Sequence, residues 1–152
     1  MREIKFRAKA TNRDPEWEYR TNYKNGDWVY GLLTKPSFTS SYGTLPAEMT
    51  NTRGISGIEV DDNTLGQFTG LRDTNRKEIY EGDIIRCRSR ESINRQYTSD
   101  YLFIVVFNED KCKFELVNVK DNKLIYDLYK SCEDDYRVEG NIYDNPELME
   151  ME

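Results

Sequence analysis

The sequence predicts a mainly β protein (α+β only at the margins), and three observations carry this prediction. Strand-length segments alternate apolar and polar residues, an Asn-Gly pair separates two aromatic runs, and polar turns recur about every ten residues beyond position 101. The last pattern is typical of a small barrel or sandwich. The 152 residues are 37% hydrophobic and 33% charged, which suits one small domain, or one with an attached lobe.

The N-terminal part is predicted to hold a strand, a hairpin and a long loop. Residues 3–10 alternate, so the apolar side chains at even positions share one face of a half-buried strand. Aromatic runs at 17–23 and 28–33 flank Asn25-Gly26, and this spacing predicts a β-hairpin. Residues 34–57 are rich in Ser, Thr, Gly and Pro, which predicts a long loop.

The segment at residues 66–70 reads Gly-Gln-Phe-Thr-Gly and allows two interpretations. In one, a turn presents Gln67 and Thr69 to a ligand, although the lysine of a phosphate-binding P-loop is missing. In the other, which the residues favour, the glycines permit a tight bend with Phe68 and Leu71 in the core.

The C-terminal part reads as a series of strands joined by polar turns. The run at 101–107 is apolar throughout and is predicted to be buried on both faces. The other predicted strands are residues 84–90, 112–119, 124–129 and 136–143. Asn145-Pro146 then predicts a short helical turn at the end of the chain.

The chain contains no histidine, and this excludes several classes of enzyme and metal site. Without histidine there is no Ser-His-Asp or Cys-His nucleophile and no histidine-based zinc or iron site. The cysteines, Cys87, Cys112 and Cys132, form no Cys-x-x-Cys pair and are predicted to be reduced thiols that partly fill core space. We therefore expect no cofactor, no metal and no catalytic residue of these kinds.

The sequence also predicts a cytoplasmic protein without a membrane anchor. No apolar run approaches the ~20 residues that a membrane-spanning helix needs. The N-terminal residues 1–10 lack the apolar core of a secretion signal.

Charge is distributed unevenly along the chain, whose net charge is −6. Residues 131–152 carry eight acidic side chains and a single basic one, Arg137. A strand at 84–90 would place Arg86, Arg88 and Arg90 on one face, where they could track a nucleic-acid backbone. The acidic balance favours the alternative that these arginines form a solvated strand surface.

Three carboxylates near the start of that strand suggest a different chemistry. Glu81 and Asp83 would share a strand face with Glu78 nearby, and paired carboxylates can perform acid–base hydrolysis or hold Mg²⁺. The alternative, which the sequence favours, is a polar entrance to the strand in which Asp83 accepts hydrogen bonds from turn amides.

Several of these segments together resemble the YopX family of phage and prophage proteins. The resemblance rests on REIKFRA (2–8), WVYG (28–31), the block VDDNTLGQFTGLRDTNRKEIYEGDII (60–85) and VEGNIYDNPELM (138–149). Three departures stand out: the family often has Trp where Lys9 stands, Pro where Asp62 stands, and Gly where Arg76 stands. The last departure predicts a turn that does not require a positive φ at residue 76.

The resemblance implies a C-terminal SH3-like β-barrel, residues 75–152, with a short helical turn at its end. A smaller β-containing portion, residues 1–74, precedes it and includes the loop at 34–57. The resemblance also implies a phage- or prophage-encoded accessory protein of the bacterial cytoplasm, with no assigned reaction.

Three functions follow in order of preference from these observations. The first is a non-enzymatic binding or adaptor protein with a host or phage protein as partner, contacted through edge strands or the 34–57 loop. The second is a nucleic-acid-binding module that uses the arginine strand, and the third is a carboxylate-dependent hydrolase. Unpaired strand edges are also compatible with self-association, which the sequence does not decide.

Overall fold

The computed structural model describes residues 3–11, 15–90 and 97–150, with side chains except at positions 15, 89, 90 and 97–100. The chain is mainly β, with 54% of residues in strands and 12% in helices. It divides into two compact units, residues 1–68 and residues 69–152, called here the first and the second unit. The sequence predicts two portions that meet after residue 74, and this boundary stays a prediction.

The first unit is built on antiparallel strands whose pairings form a ring. Its elements are β1 (Phe6–Ala10), α1 (Pro15–Thr21), β2 (Trp28–Lys35), β3 (Phe38–Ser40), β4 (Gly43–Leu45), β5 (Ala47–Asn51) and most of β6 (Ile58–Arg72). β1 pairs with both β2 and β6, β2 pairs with β5, and β5 pairs with β6. β3 and β4 pair as a separate two-stranded sheet.

Small side chains form the core of this ring. The buried cluster consists of Ala8, Ala10, Val29, Ala47, Met49, Ile58 and Val60. Gly31 on β2 lies so close to β5 that an added Cβ would overlap the Thr50 carbonyl oxygen and lie 2.8 Å from the Asn51 Cα. The approach of these two strands therefore requires glycine at position 31.

The hairpin predicted at 17–33 was wrong in its first half, because residues 15–21 form helix α1. Glu16 and Glu18 occupy the first turn and Arg20 the last, as the helix dipole favours. Asn22 ends the helix with a φ of 59°, and its N–H donates to the Glu18 carbonyl at 2.9 Å. The Asn25-Gly26 turn is present, but it joins a helix to β2.

Two further segments differ from the prediction. The region 34–57, predicted as a loop, contains β3, β4 and β5, and β5 alternates buried and half-buried residues from Ala47 to Asn51. The bend predicted at 66–70 is absent, because these residues continue the long strand β6. Gly70, with a φ of 87°, retains a conformation that favours glycine.

The second unit consists of the end of β6 followed by short strands and an antiparallel sheet. Its elements are β7 (Glu78–Tyr80), β8 (Asp83–Arg90), β9 (Tyr97–Asn108), β10 (Lys113–Asn118), β11 (Ile125–Asp127), a 3-10 helix (Lys130–Asp135), β12 (Tyr136–Asn141) and a second 3-10 helix (Pro146–Met149). The sheet order is β11-β10-β9-β8-β12. This order gives an open sheet in the part of the chain described, so the SH3-like barrel stays a prediction.

Large side chains form the core of the second unit. The buried cluster consists of Ile79, Ile85, Phe103, Val105, Leu116 and Tyr136. The run 101–107 buries Phe103 and Val105 on this inner face of the sheet, whereas its alternate residues are half-buried. The prediction that this run is buried on both faces was therefore only partly correct.

The turn between β6 and β7 is organised by one buried carboxylate. Asp73 accepts hydrogen bonds from the N–H groups of Asn75 at 2.8 Å, Lys77 at 2.9 Å and Val138 at 2.9 Å. Arg76 adopts a φ of 66° in this turn, so the prediction of a turn without positive φ was wrong. The Asp73 bonds hold the backbone in a conformation that costs a non-glycine residue about 1 kcal/mol.

The three cysteines are free thiols. Cys87 and Cys132 are half-buried and pack against the second core, as predicted. Cys112 is exposed in the turn after β9, so the prediction that it fills core space was wrong.

Candidate binding site

A cavity of about 420 Å³ opens at one end of the inner face of the second unit's sheet. Residues of β8, β9, β10, β11 and β12 line it, together with residues of the 3-10 helix at 130–135. Its lining is mainly aromatic and apolar: Cys87, Arg88, Tyr101, Phe103, Leu116, Tyr126, Asp127, Tyr129, Ser131, Cys132, Asp135 and Tyr136. Its size and composition are those of a typical ligand pocket.

The sheet register explains why these aromatic residues meet. Tyr101 and Tyr136 both pair with Cys87, one from each side of β8, and Tyr126 pairs with Leu116. Because side chains alternate along a strand, the paired residues project from the same face. The cavity is thus a consequence of strand pairing across the whole sheet.

Three of the rings that line the cavity form two edge-to-face pairs. Phe103 is 2% exposed, and its ring centroid lies 6.4 Å from that of Tyr101 and 5.6 Å from that of Tyr126. Both pairs are edge-to-face, with interplanar angles of 68° and 71°. Tyr101 and Tyr126 are 44% and 53% exposed, so their rings remain accessible to a bound group.

The polar atoms around the cavity are fixed by hydrogen bonds. The Tyr129 N–H donates to the Tyr136 hydroxyl at 3.2 Å, and burial raises the pKa of Tyr136. The Tyr129 hydroxyl donates to Asp127 at 3.0 Å, and Lys113 donates to the same carboxylate. These bonds lower the pKa of Asp127, so its negative charge is kept and is paired with Lys113.

A smaller, polar cavity of about 290 Å³ adjoins the first. Arg86, Arg88 and Arg137 line it together with Asp134 and Asp135. Arg86 and Arg137 pair directly across β8 and β12.

Glu139 bridges these two arginines. It accepts hydrogen bonds from Arg86 at 2.8 Å and from Arg137 at 2.6 Å. Burial acts to raise the pKa of Glu139, but the two arginines outweigh burial and hold that pKa below its usual range.

Of the three arginines predicted to share one face of β8, the structure therefore shows two lining the same cavity. Arg86 and Arg88 both line the smaller cavity, and acidic side chains balance them. A register shift separates Arg88 from Arg90, and the Arg90 side chain lies outside the described residues. Ligand binding by these arginines stays a prediction.

The other predicted site residues lie elsewhere. Gln67 is half-buried on β6, where it pairs with Phe6. Thr69 is buried, and its hydroxyl donates to the Ile79 carbonyl at 2.8 Å and accepts from the Leu71 N–H at 3.2 Å. These contacts favour the structural interpretation of the Gly-Gln-Phe-Thr-Gly segment.

The contacts given for two of the three carboxylates are with different groups, and a shared carboxylate site stays a prediction. Asp83 is 1% exposed and accepts a hydrogen bond from the Tyr80 N–H at 2.8 Å. Glu78 accepts from Arg72 at 3.1 Å and from the Tyr80 hydroxyl at 2.8 Å. Glu81 lies in the turn that precedes β8. This geometry favours a structural role for Asp83 and Glu78.

A family model described as YopX protein matches residues 5–150, nearly the whole chain. The chain belongs to the YopX family. The resemblance drawn from the sequence motifs is thereby confirmed. The fold of this YopX protein is similar to that in the crystal structure of protein EF1440 from Enterococcus faecalis, with 23% identity, a TM-score of 0.51, and coverage of 98% of this chain and 99% of that one. No curated protein matches the sequence.

Sequence reasoning missed most of the residues that line the main cavity of this YopX protein. Tyr126, Tyr129 and Tyr136 occur in segments predicted as strands, where aromatic residues are common and carry no specific signal. Their convergence depends on the register of β10 with β11 and of β8 with β12. The concentration of tyrosines after residue 100 was the one available hint.

Two further features are absent from the described part of the chain. None of its helices has both the length and the apolar composition needed to cross a membrane. No group of three or more cysteine, aspartate or glutamate side chains there is placed to hold a metal ion.

Proposed function

We propose that this YopX protein is a non-enzymatic binding protein, encoded by a phage or prophage, that holds a protein partner in the bacterial cytoplasm. The observation that carries the proposal is the tyrosine-lined cavity of about 420 Å³ in the second unit. Partly exposed tyrosines are the side chains that protein interfaces use most, because each combines apolar area with a polar hydroxyl.

The surroundings of the carboxylates support binding over hydrolysis. A general acid or base must reach its substrate, whereas Asp83 is buried against a backbone amide and Glu78 bonds Arg72 and Tyr80. The contacts of both residues are those of groups that hold a turn in place.

We also propose that the second unit is an SH3-like barrel. The support is its strand order, in which β8 lies between β9 and β12, and the 3-10 helix that connects β11 to β12. The last strand, β12, pairs with β8, the strand that begins the meander, as the closure of a small barrel requires.

Nucleic acid is the weaker candidate partner. Arg86, Arg88 and Arg137 give a local cluster of positive charge, but Asp134, Asp135 and Glu139 balance it. A site that tracks a phosphate backbone requires an excess of cations.

The test is capture of partners from an induced lysogen with the tagged full-length protein and two single variants. Tyr126→Ser removes an exposed ring from the cavity, and Ile125→Ser changes its neighbour, which is 45% exposed and lies one position along the same strand. We expect one stoichiometric protein that is retained by Ile125→Ser and lost with Tyr126→Ser.

Two outcomes would contradict the proposal. If the same protein is retained equally by both variants, the cavity is not the binding site. If the eluate is instead nucleic acid that leaves with rising salt, and Arg88→Glu abolishes its capture, the arginine strand is the functional surface.

A further inference from the structure

We propose that the group received by the cavity is a cationic side chain, an arginine or lysine presented by a basic segment of the partner protein. This inference rests on the proposed function and names the chemistry that the site recognises. It is carried by the aromatic walls of the cavity, the charge of its lining, and the charge of the chain around it.

The aromatic geometry suits a cation. The face of a tyrosine or phenylalanine ring carries partial negative charge and attracts an ammonium or guanidinium group within about 6 Å of the ring centroid. Tyr101 and Tyr126 each contact Phe103 edge to face, inclined by about 70° to it, and all three line the cavity, so a bound group has several rings within it to contact. The exposed fraction of Tyr129, 55%, leaves a further ring accessible at the rim.

The side chains in and beside the cavity carry a small excess of negative charge. Asp127, which is paired with Lys113, and Asp135 line it together with Arg88. The 3-10 helix at its side carries Glu133 and Asp134 as well as Lys130. Residues 131–152 hold eight acidic side chains and one basic one, within a chain of net charge −6. A field of this sign attracts and orients a basic segment of a partner.

The adjoining arginine cavity differs in the side chains that line it. Its arginines, Arg86, Arg88 and Arg137, are balanced by Asp134, Asp135 and Glu139, and Tyr136 is the one aromatic residue among the described residues that line it. A cationic group therefore meets several aromatic rings in the tyrosine-lined cavity, and three arginines with one ring in the smaller cavity.

The experiment measures protection of the cavity thiols in the full-length protein. Cys87 and Cys132 line the cavity, whereas Cys112 is exposed on a different turn and serves as an internal reference. The probes are the blocked pentapeptide acetyl-Gly-Ala-Arg-Ala-Gly-amide, its lysine counterpart, and the analogue with citrulline, which has the shape of arginine without its charge. Alkylation by iodoacetamide is followed at each cysteine by mass spectrometry.

We expect millimolar arginine or lysine peptide to slow alkylation of Cys87 and Cys132 several-fold without changing Cys112, and the citrulline peptide to have little effect. Tyr126→Phe should retain this protection because it keeps the aromatic face. Tyr126→Leu should weaken peptide binding about 3-fold to 10-fold, because it keeps an apolar side chain and removes the ring. Chemical denaturation of both variants shows whether each is folded.

Two results would overturn the cationic assignment. One is equal protection by the arginine and citrulline peptides, and the other is absence of protection by any of the three peptides. If partner capture from the lysogen still depends on Tyr126, the proposed binding function stands and only the cationic chemistry falls. If capture does not depend on Tyr126 either, the proposed site fails as well.

Discussion

The two units, each considered by itself, differ in how their strands pair and in which side chains form their cores. The first closes a ring of pairings, β1–β2–β5–β6–β1, around a core in which Ala8, Ala10 and Ala47 are fully buried. The second pairs its strands in an open order and fills one face with Phe103, Leu116, Tyr136 and other large residues. The comparison teaches that the closed ring is filled largely by alanine and other aliphatic side chains, whereas the open sheet buries aromatic ones and leaves space for a ligand.

The largest expected effect comes from breaking the ring of the first unit. Gly31→Ala would place a methyl group against the Thr50 carbonyl and should cost about 3 kcal/mol of stability or more, because backbone atoms must move. Both tryptophans, Trp17 and Trp28, lie in the first unit, so tryptophan fluorescence during urea unfolding reports on it. Leu32→Ala, at an exposed neighbouring position, is the control, and an unchanged midpoint for Gly31→Ala would contradict the close approach of the strands.

Two matched truncations sharpen the comparison between the cores. Met49→Ala removes a fully buried side chain from the ring and should cost about 3 kcal/mol. Leu116→Ala, at the floor of the cavity, should cost about 2 kcal/mol, because its cavity side has fewer packing partners to lose. Denaturant unfolding of both variants measures how much free energy of unfolding each one loses. A larger loss for Leu116→Ala than for Met49→Ala would show that the cavity is closed in solution.

A smaller effect, dependent on pH, is expected at Glu139 on β12. Glu139→Gln leaves Arg86 and Arg137 opposite each other and should cost about 1 kcal/mol at neutral pH. Because the folded-state pKa of Glu139 lies below its ordinary value of 4.5, its stabilising contribution is present above that value and is lost as the pH falls through the folded-state pKa. Stability measured from pH 7 to pH 3 should therefore converge for the two proteins, and a constant difference would refute the ion pair.

The smallest expected effect is a gain in stability. Arg76→Gly should stabilise the β6–β7 turn by about 0.5 to 1 kcal/mol, because glycine adopts the positive φ of residue 76 without strain. Arg76→Ala, which keeps the strain, is the matched control. Equal midpoints for these two variants in thermal unfolding would mean that residue 76 leaves this conformation in solution.

Alternation of apolar and polar residues located strands β1 and β10 well, because a period of two leaves a clear mark on the sequence. It did not show that each strand also buries a charged side chain, Arg7 in β1 and Glu115 in β10. It failed at residues 15–21, where Trp17 and Tyr19 mimic alternation. This segment also carries helix signals, Pro15 and Glu16 at its start and Arg20 at its end, and these indicate the helix that the structure contains. Strand β5 was not predicted, because its alternating residues lie within a region rich in Ser, Thr, Gly and Pro.

The candidate site was less accessible to prediction than the fold. Arg88 was singled out for a strand face, and the structure places it between the two cavities. Tyr126, Tyr129 and Tyr136 were not singled out, because a binding cavity depends on which strands pair and in which register. That information is distributed over residues far apart in the sequence, such as Cys87 and Tyr136.

The hairpin formed by β3 and β4 has a practical consequence for anyone who works with this protein. It pairs only with itself in the described structure, its residues are exposed, and its tip at Tyr42 is fully accessible. Exposed hairpin tips of this kind tolerate inserted sequence. A fluorophore or affinity handle attached at Tyr42 would label the first unit and leave the tyrosine-lined cavity of the second unit unmodified.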